Sequence, residues 1–219
     1  MKRSYDAEIM DDFSIQDERI DKALHELKII NKFLGGISTT KSALKYFAQS
    51  VNEELKILDI GSGSSDNLVA AKNKFQNLRI ISIDKNLRAL NSSENLLVKV
   101  NSDAFKLPFK NESYDIIHVS LFLHHFNEEQ IQILLKEFLR IAARGVIIND
   151  LQRSYFALLG IKILTVLFSK SEMVKNDGPL SVKRGFTKNE VLLILANAGI
   201  ANFIIKRKWA FRWMVVIKK

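Results

Sequence analysis

Hydrophobic positions along the chain change period partway through. From Ser14 to Leu34 they recur at helical spacing, as Ile20, Leu24, Leu27 and Leu34. Ser14 and Asp17 are placed to cap the start of that helix and Gly35-Gly36 to stop it. A second helix is predicted from about Thr39 to Val51, with Ala43, Leu44, Phe47 and Ala48 facing inward. The period then shortens. "KILDI", "RIISID", "LLVKVN", "YDIIHVS" and "GVIIND" are short β-branched runs, most of them separated by helical or polar stretches. Near-continuous apolar strands alternating with helices predict an α/β fold, a parallel sheet covered on both faces. The last part predicts a helix ("TKNEVLLILANAG", stopped by Gly199) and two strands, "ANFIIKR" and "RWMVVIKK". The apolar run Ser154–Phe168 carries Lys162 and is too short to span a bilayer, so it reads as a core helix or a lid over an apolar pocket. Both prolines, Pro108 and Pro179, fall in predicted loops.

Within this pattern "LKILDIGSGSSDN", Leu55 to Asn67, places an acid and two glycines where the first strand ends. In doubly wound sheets ligands bind at the carboxyl ends of the strands. Gly61 and Gly63 permit a tight turn and close approach of another body to the backbone. A dinucleotide would want a third glycine where Asp66 stands, and Asp59 adds a second carboxylate that would repel a diphosphate. S-adenosylmethionine carries a sulfonium and an ammonium and no phosphate, which gives Asp59 a purpose.

The order "LDIGSGSSDN", "ISIDKN", "NSDAFKLPFKNESYDIIHVSLFLHHF" and "FLRIAARGVIINDL" resembles class I S-adenosylmethionine-dependent methyltransferases, nearest to the small-molecule branch of ubiquinone and menaquinone biosynthesis. The likeness covers about residues 55–150. It implies a Rossmann-like seven-stranded sheet in the order 3-2-1-4-5-7-6, with residues 53–219 as the cofactor-binding domain and residues 1–52 as a helical lid. It also implies cofactor roles by position. Asp59, Gly61 and Gly63 hold the methionine end; Asp84, followed by Lys85, takes the ribose hydroxyls; Asp103 and Ala104 read adenine; Ser120 and Leu121 close the fourth strand beside the cofactor. The product would be S-adenosylhomocysteine. Two departures stand out: Ser65 replaces the family's usual third glycine, and "ARG" replaces a Pro-Gly before the fifth strand.

Composition narrows the chemistry. The 219 residues make about one large domain, and 47% hydrophobic with 26% charged content is ordinary for a packed core. The absence of cysteine excludes disulfides, thiolate metal sites and a cysteine nucleophile, and it fits a reducing, cytoplasmic setting. No apolar core follows the basic residues of "MKRSYDAEIMDDF", so no signal peptide is expected there. The net charge of +9 is spread along the chain, apart from a modest cluster in "KRKWAFRWMVVIKK". A solvated basic surface is preferred over a nucleic-acid partner.

For the acceptor, the chain lacks the Asn/Asp-Pro-Pro-aromatic signature of amine methylation after the fourth strand and has "SLFLHHF" there. A small-molecule acceptor methylated on oxygen or carbon is expected, with an RNA or protein methyltransferase and a non-catalytic cofactor-binding subunit as the alternatives. His124, His125 and Asp150 are the candidate catalytic residues. An imidazole near pKa ~6.5 can accept a proton at neutral pH. His118 reads as core, and His25 reaches the site only if the first helix is a lid. "NDGPLSVKRGFT", Asn176 to Thr187, reads as a polar loop similar to one in bacterial methyltransferases of aromatic polyketides, with Arg184 by default a surface arginine and otherwise a contact for an anionic acceptor. Phe156, Leu159, Ile163 and Leu167 are expected to wall an apolar pocket for a lipophilic aromatic acceptor. No acid/His cluster with metal spacing is visible, so no metal is expected.

Overall fold

The computed structural model describes residues 1–50, 52–93 and 97–219. Val51, the expected end of the second helix, and Leu96, the first residue of the third strand run, lie outside the described residues.

The strands are β1 (Leu55–Ile60), β2 (Leu78–Asp84), β3 (Val98–Asn101), β4 (Tyr114–Ser120), β5 (Ala142–Leu151), β6 (Phe203–Lys208) and β7 (Arg212–Lys218). They form one sheet in the order β3-β2-β1-β4-β5-β7-β6. β1 to β5 are parallel, and β7 slots antiparallel between β5 and β6. The helices are α1 (Glu18–Phe33), α2 (Gly36–Leu44), α3 (Asp66–Ala71), α4 (Leu87–Asn91), α5 (Glu128–Ile141), α6 (Tyr155–Phe168), α7 (Glu172–Arg184) and α8 (Lys188–Asn197).

Alternation along the strands splits the core into two layers. Leu58, Ile60, Val215 and Ile217 face α5 and α8, meeting Leu135, Phe138 and Ile194. Leu55, Ile57, Met214 and Val216 face α2 and α3, meeting Leu44 and Leu68. At ~25 cal/mol per Å² of apolar surface, these layers are the main source of stability. A third, smaller cluster joins α1 to α7 through Ile20, Ala23, Met173 and Val174. It places α1 over the carboxyl ends of the strands, where ligands bind in this architecture.

Several local expectations need correction. The cap of α1 is Asp17, which accepts from the Arg19 N–H at 3.0 Å, while Ser14 bonds Asp12 in the preceding turn. α2 starts at Gly36, earlier than expected, because Gly35 takes φ +80° and turns the chain. A Cβ on Gly35 would lie 1.8 Å from the Trp209 carbonyl oxygen, so only glycine lets the β6–β7 hairpin pack there. "ARG" forms no separate turn: α5 ends at Ile141 and β5 begins at Ala142.

The predicted 176–187 loop is mostly helix. Ser171 caps α7, which runs through Pro179 to Arg184. Asn-Asp-Gly-Pro has the composition of a turn, but tertiary contacts override it. Asp177 accepts the Ile9 and Met10 N–H groups at 2.8 and 3.0 Å. Gly178 lets Ile161 and Thr165 of α6 approach to 3.3 Å from where its Cβ would be.

Candidate active site

The turn after β1 is built as its glycines require. Gly61 and Gly63 take φ of +61° and +49°, and Ser65, at the missing glycine's position, also adopts a left-handed φ of 56°. That conformation is disfavoured for a residue with a Cβ. Ser65 holds it through a buried hydroxyl bond of 2.6 Å to Ser82.

Asp59 is buried and pairs with His118 Nδ1 at 2.7 Å. The other ring nitrogen of His118 lies 3.0 Å from the Thr40 hydroxyl. Thr40 Oγ1 and the Gly36 carbonyl both accept from the Asn149 side chain. Arg212 then bonds Asn149, Asn31 and the Leu34 carbonyl. His118 is thus a core residue, as expected, and it also orients Asp59. The chain of bonds ties the α1–α2 corner to β1, β4, β5 and β7.

Beside Asp59 a cavity of about 50 Å³ is lined by Asn31, Gly61, Ser64, Asn67 and Ser120. Asn67 donates to Ser120 at 2.8 Å, yet its own Oδ1 is buried without a partner. A carboxylate and an orphaned carbonyl oxygen around one small chamber fit a donor, such as the ammonium of a methionine moiety. Phe122 covers Gly61, where a Cβ would fall 2.0 Å from its ring, and Leu24 lies over Gly63. A nucleoside-sized ligand needs both side chains to move aside. A larger cavity, about 460 Å³, sits among Lys56, Arg79 and Tyr114 near the amino ends of β1, β2 and β4, away from these motifs.

Along the same edge Asp84 accepts the N–H groups of Gly63 and Asn86, each at 2.8 Å. Burial nonetheless pushes its carboxyl above the ordinary value. Each oxygen keeps a free lone pair for a hydroxyl. Lys85 pairs with Asp103 at 2.9 Å, and Asp103 also accepts the Phe105 N–H at 3.0 Å. That backbone bond, with the Lys85 charge, holds Asp103 below its usual range. Ala104 is buried next to it. Leu121, at φ +52°, turns the chain out of β4, and its N–H donates to the Asn149 carbonyl.

His124 and Asp150 meet at 2.7 Å, both buried. Asp150 also accepts from the Leu123 N–H at 2.9 Å and the Leu151 N–H at 2.8 Å. Burial drives the His124 imidazole down, but the Asp150 charge and hydrogen bond, with Glu8 adding, outweigh it and hold the ring at about 9. His124 therefore carries a proton at neutral pH and is not a free base there. His125 is part-exposed, with Nδ1 2.7 Å from Asp11 Oδ1.

Three further residues complete this corner, none of them part of a recognisable sequence motif. Glu8 is buried with Oε1 3.5 Å from His124 Nε2, and Asp11 pairs with Arg184 at 2.7 Å. Arg3 donates to the Arg184 and Phe126 carbonyls and to Glu128. The available signal was compositional: Asp6, Glu8, Asp11 and Asp12 crowd the start of a chain that is basic overall.

Arg184 itself is buried, donating to the His124 and His125 carbonyls, so it braces the histidine turn rather than facing an acceptor. His25 is exposed on the outer side of α1. The expected apolar wall also turns out otherwise. Phe156, Leu159, Ile163 and Leu167 are 78%, 57%, 52% and 67% exposed, and it is Ala157 and Thr165 that are buried. Among the described residues no helix is long and apolar enough to cross a membrane.

Comparisons agree with this geometry. A family described as a methyltransferase domain matches residues 57–145. No curated protein matches the chain in sequence. Among solved structures, a SAM-dependent methyltransferase from Aquifex aeolicus superposes with a TM-score of 0.59 at 19% identity, covering 82% of this chain and 88% of that one. Magnesium protoporphyrin IX methyltransferase from Synechocystis, with bound SAH, gives 0.61 at 14% identity, covering 94% and 98%. Human N-acetylserotonin methyltransferase in complex with SAM gives 0.67 at 15% identity; 94% of this chain is covered but only 57% of the human one. Residues 57–145 thus match a methyltransferase domain, and the whole chain has the fold of solved SAM-dependent methyltransferases.

Proposed function

We propose that the protein transfers a methyl group to the oxygen or an activated carbon of a small aromatic acceptor, with residues 1–52 as a lid over the site. S-adenosylmethionine supplies the activated methyl. Asp59 and Asn67 offer acceptors to its methionine end, Asp84 to its ribose, and Asp103 with Ala104 to its adenine. The observation that carries the acceptor reading is an aromatic cluster next to the histidine turn. Phe122, Phe126 and Phe105 meet edge to face, with centroids 4.9 and 5.4 Å apart. They replace α6 as the apolar surface the acceptor meets. The human and Synechocystis neighbours are named for N-acetylserotonin and magnesium protoporphyrin IX, which is compatible with this class.

In this reading Asp150 fixes the His124 ring, whose proton stabilises a phenolate oxygen, and His125 takes the acceptor's proton. Alignment and proximity supply most of the acceleration, general base assistance about 10²–10⁴-fold. The cysteine-free chain fits the reducing cytoplasm, the location we propose.

Calorimetry with S-adenosylhomocysteine and turnover on a phenol panel test this. We expect binding by the wild-type protein, and His125→Ala to keep that binding while losing at least 100-fold in turnover. Absence of S-adenosylhomocysteine binding, or full turnover in His125→Ala, would overturn the reading.

A further inference from the structure

Glu8, His124 and His125 each offer one donor atom, and these atoms lie within 4.8 Å of one another. Glu8 Oε1, His124 Nε2 and His125 Nδ1 are buried and make no hydrogen bond. Buried polar atoms are nearly always partnered, so three orphans converging on one point require an explanation. Proximity alone does not remove them: His124 Nε2 stands 3.5 Å from Glu8 Oε1, and His125 Nδ1 faces Asp11 Oδ1 at 2.7 Å without hydrogen-bond alignment.

We propose that these three side chains bind one divalent transition-metal cation. Two imidazoles and a carboxylate, with no thiolate in the chain, suit zinc, iron or manganese. Donors about 2.0–2.2 Å from a tetrahedral ion stand roughly 3.3 Å apart, so the present spread closes with modest side-chain rotation. The ring of His124 is already set for the task. Its Nδ1 is bonded to Asp150 at 2.7 Å, and Asp150 is itself fixed by backbone N–H groups. A carboxylate behind the imidazole, holding the second nitrogen towards the ion, is the usual support of a metal-bound histidine.

Charge points the same way. Three carboxylates, Glu8, Asp11 and Asp150, converge here, and among the described residues Arg184 is the one guanidinium that touches any of them. Arg184 Nη1 pairs with Asp11 Oδ2, leaving Oδ1 turned towards His125. The linear spacing concealed the site because Glu8 arrives from the N-terminal segment, held in place by Asp177 through Ile9 and Met10. Three protein donors leave a coordination position open, as in catalytic rather than structural sites. Bound there, the ion would displace the proton from His124 Nε2 and take over its part in stabilising a phenolate; if the acceptor is a phenol, the open position suits its oxygen, a step that rests on the proposed function, whereas the metal site does not.

The test uses the full chain, stripped with chelator, loaded with Zn²⁺ and dialysed. We expect one equivalent of zinc by elemental analysis and, with Co²⁺, a visible ligand-field spectrum. Glu8→Gln and His125→Ala should each weaken binding tenfold or more, while His25→Ala, at an exposed histidine on α1, should not. Zinc should raise the melting temperature of the wild type and not of the variants, a readout that does not require them to match its basal stability. No retained zinc, or equal retention in a Glu8→Gln/His125→Ala double variant, overturns the site. S-adenosylhomocysteine binding is measured in parallel: binding without metal removes this proposal alone, and metal without binding removes the functional reading alone.

Discussion

Asp84 faces the cofactor edge with two backbone N–H groups already bound. In the proposed reading Asp84→Ala removes the acceptor for the ribose hydroxyls. Hydrogen bonds to a charged partner contribute about 1.5–3 kcal/mol, so S-adenosylhomocysteine affinity should fall at least tenfold by calorimetry. The pH dependence has a definite sign. Burial raises this carboxyl above its ordinary value of about 3.9, so it protonates at a higher pH than a surface aspartate would. Affinity in the wild type should therefore begin to fall above that pH as acid is added, and the Ala variant should lack this component. Asp84 was legible because an acid closing a parallel strand is a local pattern. Glu8 was not, because its meaning depends on His124, which only the fold brings near.

Elements show the same division. β4 occupies Tyr114–Ser120, the run that the sequence marks as "YDIIHVS", since β-branched apolar runs have few alternatives. α6 misled because it is apolar almost all round, and periodicity cannot then say which face turns inward. α7 misled because turn residues sit inside it for tertiary reasons. Gly178 is there for α6, and a matched pair of substitutions checks this. Gly178→Leu should drive a side chain into Ile161 and Thr165, costing about 1–3 kcal/mol in urea denaturation and loosening α6 in hydrogen exchange. A Cβ on Gly160 of α6 meets nothing within 4 Å, so Gly160→Ala should stabilise by up to about 1 kcal/mol. Equal effects of the two would remove the packing explanation.

At the scale of the whole molecule, the proposed lid requires α1 and Phe122 to shift before a nucleoside-sized ligand can enter, since Leu24 and Phe122 lie over the glycine turn. α1 is held to α3 by Lys28–Asp66 at 3.0 Å and to α4 by Arg88–Asp21 at 2.5 Å, both part-exposed pairs. Pairs open to solvent are held weakly and loosen further as salt screens them. Added salt should therefore speed S-adenosylhomocysteine association in stopped-flow measurements. The Asp21→Asn/Lys28→Gln variant should be fast already and insensitive to salt; a rate unaffected by either change would mean that α1 is not the gate.

The bonds from Asp59 through His118, Thr40 and Asn149 end on Arg212, at the start of β7. Residue 212 is synthesised after Asp59, Asp84, Asp103 and Asp150. Until it emerges, Asn149 and the Leu34 carbonyl lack their guanidinium partner, and β5 has an open edge where β7 will insert. A nascent chain can thus lay down β1 to β5, yet the corner beside Asp59 waits for β7. Closure of that corner therefore follows synthesis of β7, although the carboxylates at the strand ends are made earlier.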